Sequence, residues 1–140
     1  MSDFVLHFDG SCGPKNPGPH AGYGYTSTKD GVSFAKDSGE LKDATFSNNY
    51  AEFHALYKGL EHIGPILTQS DRLFIRGDSQ LVINVMSKRW RAKDGIYYPA
   101  YLNAAKELTR IRSKNIFVSI DWVPREMNTQ ADALSTAYSK

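Results

Sequence analysis

The chain is 140 residues long, 41% hydrophobic and 23% charged, proportions that suit a folded globular protein with one core. They exclude a disordered tail, a collagen-like fibre and a disulfide-stapled miniprotein. Lys and Arg number 17 against 15 Asp and Glu, a net charge of +2, which permits nucleic-acid binding without predicting it.

The first 41 positions read as three antiparallel strands. Phe4 to Phe8 is a short β-type run stopped by Asp9-Gly10-Ser11 and the turn-rich Gly13-Pro14-Lys15-Asn16-Pro17-Gly18. Ala21 to Ser27 and Val32 to Leu41 follow, joined by Asp30-Gly31, a hairpin signal. The pattern then turns helical: Phe53, Leu56, Tyr57, Leu60 and Ile63 recur at helical spacing from Asn49 until Gly64-Pro65. Leu73 to Arg76 predicts a strand, Asp78-Ser79 opens a short helix through Met86, and Pro99 starts a helix to about Arg112. Ile116 to Trp122 predicts another strand, and Asn128 caps a last helix through Tyr138. The order β-β-β-α-β-α-α-β-α implies a mixed sheet flanked by helices, with strands one, four and five parallel.

No linker divides the chain, so residues 1–140 are expected to form a single domain. The N-terminus lacks the basic head and apolar stretch of a signal peptide, and no apolar run approaches the ~20 residues of a membrane span. The single cysteine, Cys12, allows no internal disulfide and suits a reducing compartment. A soluble, cytoplasmic protein is expected; the starting methionine and the end of the chain after the last helix favour a free-standing one.

Four acidic residues punctuate the elements: Asp9 ending the first strand, Glu52 in the first turn of the long helix, Asp78 after the fourth strand, and Asp132 in the first turn of the last helix. Ligands of α/β sheets gather where strands end and helices begin. Carboxylates crowded there repel unless cations neutralise them, and all-oxygen donors suit a hard cation such as Mg²⁺. Two such ions about 3.5–4 Å apart hold a phosphodiester, activate water and stabilise the leaving oxygen. Each acid also has a plain structural reading. Asp78 alone reads as a helix cap, Glu52 as the capping-box partner of Asn49, and Asp132 as a complement to its helix dipole. Asp9 is harder to explain structurally, because an acid ending an apolar strand has little need of its charge. Periodicity does not show whether the four meet.

The wording around these acids is more specific. His7-Phe8-Asp9-Gly10-Ser11-Cys12, followed by Asn16-Pro17-Gly18 and Gly22-Tyr23-Gly24, resembles the opening of type 1 ribonuclease H. Ser47-Asn48-Asn49-Tyr50-Ala51-Glu52 with Ala55-Leu56 resembles the segment bearing that family's catalytic glutamate. Asp78-Ser79-Gln80 is similar to its third acidic motif and Asn128-Thr129-Gln130-Ala131-Asp132-Ala133-Leu134 to its fourth. The blocks stand in family order from Phe4 to Leu134.

The resemblance implies an α/β, ribonuclease H-like fold with a five-stranded mixed sheet, three antiparallel strands and then parallel ones, flanked by helices. It implies a metal-dependent endonuclease that cuts the RNA strand of RNA/DNA hybrids with two Mg²⁺ ions, Mn²⁺ substituting, and leaves 3′-hydroxyl and 5′-phosphate ends. Asp9 would bridge both ions, Glu52 and Asp78 would each help position one, and Asp132 would complete the other site. Recognition of the 2′-hydroxyl would fall to the Cys12-Gly13 backbone, Asn16, Asn49 and Gln80, whose amides offer donor and acceptor together. Asn16 also reads as a turn residue and Asn49 as a helix cap. The expected partner is the hybrid duplex, with no membrane and the chain a monomer. The alternatives are the same fold also cleaving double-stranded RNA, or an inactive hybrid-binding module.

The chain departs from the family pattern twice. Many relatives place a histidine in the loop before the last acid, but here Arg125 holds the nearest position, as in some archaeal-type members. Always protonated, Arg125 suits holding phosphate or releasing product and is a poor general base. Its plain reading is an ion pair with Glu126 or Asp121. Longer bacterial members also carry a basic helical protrusion after the third motif, whereas this chain has only Ser87-Lys88-Arg89-Trp90-Arg91-Ala92-Lys93. Lys88, Arg89 and Trp90 either grip the DNA strand by phosphate contact and stacking or form a solvated surface. Tyr97, Tyr98 and Tyr101 read as packing residues.

Overall fold

Alternation and the Asp30-Gly31 turn build the first sheet edge. A computed structural model describes residues 1–137 and begins with β1 (Asp3–Cys12), β2 (Ala21–Lys29) and β3 (Val32–Leu41). Asp30 and Gly31 both take positive φ, 51° and 83°, as in the mirror-image turns whose twist suits paired strands. Then come α1 (Asn48–Ile63), β4 (Arg72–Gly77), α2 (Gln80–Met86), α3 (Tyr98–Arg112), β5 (Phe117–Trp122) and α4 (Thr129–Thr136). The sheet order is β3-β2-β1-β4-β5, with β1–β4 and β4–β5 parallel and the remaining pairs antiparallel. This is the expected mixed α/β architecture. The predicted last helix extends to Tyr138, which lies outside the described residues. Among those described, no helix is long and apolar enough to cross a membrane.

The periodic positions of α1 explain its seat. Phe53, Leu56, Leu60 and Ile63 are buried with Leu6 and Phe8 of β1, Leu73 and Ile75 of β4, and Leu108 and Ile111 of α3. Each such side chain contributes roughly 1.5–3 kcal/mol by leaving water. Tyr97 and Tyr101 join this layer, their rings centred 5.2 and 5.7 Å from that of Phe53.

Helix α4 takes the opposite face. Alternate strand residues point to opposite sides, and Tyr25 joins the core below α1. Its neighbour Gly24 therefore faces away, where a Cβ would lie 2.4 Å from the Leu134 Cβ. Only glycine lets α4 lie this close to β2. Strand β1 also runs beyond the predicted Phe8, because Gly10, Ser11 and Cys12 continue its ladder with Tyr23, Gly22 and Ala21. Asp9 is thus inside the strand, not at its end.

Candidate active site

Asp9 is buried, and the β1–β2 ladder sets it opposite Gly24, the residue on which α4 rests. Glu52 reaches it from the other layer. Ser47, not Asn49, caps α1: its Oγ accepts the Tyr50 N–H at 3.0 Å, so Glu52 lies beyond the first turn and is no capping partner. Its Oε1 instead accepts the Gly10 N–H. Gly10 permits this, since a Cβ there would lie 2.1 Å from the Ala51 carbonyl carbon.

Asp78 follows β4 and is not a helix cap either. Ser79 does that work, its Oγ accepting the Val82 N–H at 3.2 Å. The Asp78 Oδ2 is left buried without a hydrogen-bond partner among the described residues. One carboxylate oxygen each from Asp9, Glu52 and Asp78 lie within 4.8 Å of one another. Asp132, in the first turn of α4, lies outside that trio but close enough to push the Asp9 carboxyl up. The structure therefore joins three of the four predicted acids and sets the fourth against one of them.

Burial pushes the Asp9 carboxyl up to about 7; bonds from Glu52 and Ser135 pull it down, while Asp132 and the Asp78 charge push it up. Glu52 is also raised well above the ordinary carboxylate range, by burial first and then by Asp9. A divalent cation would relieve this crowding. The all-oxygen donors and the orphaned Asp78 Oδ2 fit a hard ion.

Arg125 stands beside the cluster in the 3₁₀ turn Arg125–Met127. Its Nε is 3.8 Å from the Asp78 Oδ2, with the arginine side chain 81% exposed. It pairs with neither acid expected from sequence; Asp121 instead accepts the Ser119 hydroxyl at 2.6 Å.

The amide-bearing residues gather at the start of α1. The Cys12 N–H donates to the Asn48 Oδ1 at 2.7 Å, the Asn48 N–H to the Asn16 Oδ1 at 3.0 Å, and the Gly13 N–H to the His20 carbonyl at 3.0 Å. Cys12 and Asn16 are thereby tied to the segment carrying Asn49, and Gly13 to His20 across its own turn. Gln80 is exposed at the start of α2, two residues from Asp78. Lys88, Arg89 and Trp90 lie past the other end of α2, about 10 Å of helix away. Trp90, 49% exposed, lines a groove of about 630 Å³ with Leu81, Arg91, Lys93 and Tyr97.

Three residues at the site lie outside the sequence-derived set. Asn128 holds the N-cap position of α4 without a side-chain capping bond; its Nδ2 donates instead to the Phe8 carbonyl at 2.9 Å, fixing α4 beside Asp9. The Trp122 Nε1–H donates to the Asp78 carbonyl at 3.1 Å. The Ser135 hydroxyl donates to the Asp9 Oδ2 at 3.0 Å. Its one sequence signal is its place three residues after Asp132, on the same helix face.

The RNase H family model matches residues 1–140. The chain belongs to the RNase H family. It is of the RNase HI type: the ribonuclease HI of Halobacterium salinarum is 34% identical over 129 residues, which cover 92% of this chain and 60% of that protein. The bifunctional protein Rv2228c of Mycobacterium tuberculosis is 33% identical over 123 residues, 86% of this chain but 31% of its own length. This RNase H chain thus spans under a third of that larger relative. The solved N-terminal RNase H domain of Rv2228c matches at a TM-score of 0.81 with 29% identity, covering 98% of this chain and 93% of that one. LC11-RNase H1, solved in complex with an RNA/DNA hybrid, matches at 0.79 with 25% identity, covering 96% and 95%.

Proposed function

We propose that residues 1–140 form one catalytic domain that hydrolyses the RNA strand of RNA/DNA hybrids, using two Mg²⁺ ions (or Mn²⁺) and leaving 3′-hydroxyl and 5′-phosphate ends. The observation that carries this reading is the meeting of Asp9, Glu52 and Asp78 within 4.8 Å in a chain of this family. The hybrid bound by LC11-RNase H1 supports the choice of substrate.

Asp9, Glu52, Asp78 and Asp132 would hold the ions, with Asp9 central because the other three all approach it. When bound, such ions supply charge neutralisation, an activated water and stabilisation of the leaving oxygen. The protein's own part is to fix the donors. Gly10 orients Glu52 through one oxygen, and the ladder with Gly24 fixes the backbone of Asp9. Asn16, Asn49 and Gln80 read the 2′-hydroxyl and its groove, together with the backbone at Cys12 and Gly13. With both N–H groups of that pair bonded within the fold, the carbonyl oxygens do the reading there. Arg125 holds a phosphate or departing product beside Asp78 without acting as base.

The test offers RNA/DNA, RNA/RNA and DNA/DNA duplexes of one sequence with Mg²⁺, Mn²⁺ or EDTA, alongside Asp9→Asn. Metal-dependent cutting of RNA in the hybrid alone, lost in the variant, is expected. Cutting of both RNA-containing duplexes would assign the broader activity. Tight hybrid binding without cutting under either metal would leave a binding module.

A further inference from the structure

Ser135 is fully buried in α4, and its hydroxyl stands 3.0 Å from two oxygens, the Asp9 Oδ2 and the carbonyl of Asp132. One hydroxyl carries one proton. An ionised carboxylate is the stronger acceptor, so the proton lies toward Asp9 when that group is charged. The serine's own carbonyl accepts the Ser11 hydroxyl at 3.0 Å, two residues beyond Asp9 on β1. Position 135 is therefore braced to β1 from both its backbone and its side chain.

From this geometry we propose that Ser135 is a positioning residue for divalent-ion binding. Its hydroxyl fixes the plane of the Asp9 carboxylate and leaves Oδ1 for the ion. The inference rests on the metal-dependent reading of the site above. Asp132 and the Asp78 charge disfavour the charged Asp9 carboxylate, whereas Ser135 holds it with a neutral side-chain donor. Without the hydroxyl, Asp9 would rotate to lower its repulsion with Asp78 and Asp132, and the donor atoms would no longer be arranged before the ion arrives. Metal sites ordinarily depend on such outer hydrogen bonds to their ligating carboxylates. The position is specific as well: Thr136, the next residue, also offers a hydroxyl to the Asp132 carbonyl, at 2.9 Å, yet is exposed. Only Ser135 turns toward Asp9.

The test compares wild type, Ser135→Ala, Ser135→Cys and Thr136→Ala. Mn²⁺ affinity of the substrate-free protein is measured by electron paramagnetic resonance, with kcat, KM for the hybrid and thermal midpoint alongside. Ser135→Ala is expected to weaken Mn²⁺ binding by about tenfold and to lower kcat at limiting metal, with KM for the hybrid unchanged. Saturating metal should recover most of the lost rate. Ser135→Cys, which keeps a weak donor, should fall between, and Thr136→Ala should bind Mn²⁺ like wild type. Ser135→Ala within twofold of wild type in Mn²⁺ affinity would overturn the inference, as would equal loss in Thr136→Ala. Should wild type itself bind no divalent ion, the metal-dependent reading fails first. A Ser135→Ala protein with an unchanged thermal midpoint and weaker Mn²⁺ binding separates positioning from folding.

Discussion

The Glu52 carboxylate accepts the backbone N–H of Gly10, joining the second turn of α1 to β1 one residue beyond Asp9. The contact exists because nothing projects from Gly10: a Cβ there would lie 2.1 Å from the Ala51 carbonyl carbon and 2.3 Å from the Glu52 nitrogen. Backbone atoms cannot swing aside as a flexible side chain can. Gly10→Ala is therefore expected to push α1 off the sheet, costing about 3 kcal/mol of stability and most of the activity. Urea unfolding and cleavage assays below the variant's midpoint would check this; a fully active, fully stable Gly10→Ala protein would refute the packing argument.

Without metal, the acids make stability depend on pH in an unusual direction. Burial raises Asp9 from 3.8 to about 7 and lifts Glu52 well above its ordinary 4.5. The native state thus keeps protons that the unfolded chain releases above about pH 4. The stabilisation is complete below that pH and is lost as pH rises through 7. The metal-free thermal midpoint should fall between pH 5 and pH 8, and millimolar Mg²⁺ should restore it at pH 8. Asp9→Asn should flatten the fall and add roughly 1–3 kcal/mol at pH 8 while abolishing cleavage. A midpoint that rises with pH, or an Asp9→Asn protein less stable at pH 8, would contradict the assignment of these raised carboxyls.

Strand and helix order was readable from periodicity because each buried face repeats its apolar residues at the matching interval, as Phe53, Leu56, Leu60 and Ile63 do. The ends were less readable, since the same local chemistry serves two masters. Asn49 with Glu52 has the spacing of a capping box, yet Ser47 caps the helix and Glu52 turns to Gly10, a residue 42 positions away. Asp9 follows an apolar run before Gly-Ser, yet the ladder continues because β2 supplies partners through Ala21. Asn128 lies where a cap belongs, but its amide satisfies the buried Phe8 carbonyl. Local patterns locate such residues; only tertiary pairing decides which partner wins. The convergence of the acids was carried by family wording, not by spacing, and Ser135 escaped notice because a helical serine after Leu134 has no motif of its own.

Arg125 should assist turnover without being indispensable. Its Nε lies 3.8 Å from a buried Asp78 oxygen while its charge stays solvated, so the pair itself adds little stability. Removing it in Arg125→Ala should slow kcat by about tenfold, in the range usual for one assisting group. Arg125→His should recover part of that rate and add an inflection near about pH 6.5, where an imidazole titrates. Complete loss of cleavage in Arg125→Ala, at unchanged thermal midpoint, would give the arginine a more central part in the chemistry.

The loop carrying Lys88, Arg89 and Trp90 is held by its own fold rather than by the acids. The Arg89 and Trp90 N–H groups both bond the Asn84 carbonyl, and the Lys93 N–H donates to the Tyr97 hydroxyl at 2.8 Å. Tyr97 in turn stacks on Phe53 of the core. A fixed loop with an exposed indole and flanking cations suits a nucleic-acid backbone, and separation from the acids makes the effects divisible. Trp90→Ala should raise KM for the hybrid by about tenfold, the scale of one lost stacking contact, with kcat kept. Replacing Lys88 and Arg89 together by Ala should lower the slope of log affinity against log salt by about 1–2, one per phosphate contact. Asp9→Asn should do the opposite, binding the hybrid as well as wild type or better, because it removes a negative charge from the cleft. If the loop variants leave both KM and the salt slope unchanged, Lys88, Arg89 and Trp90 are a solvated surface, and the grip on the duplex must come from the amides around Asn16 and Asn49.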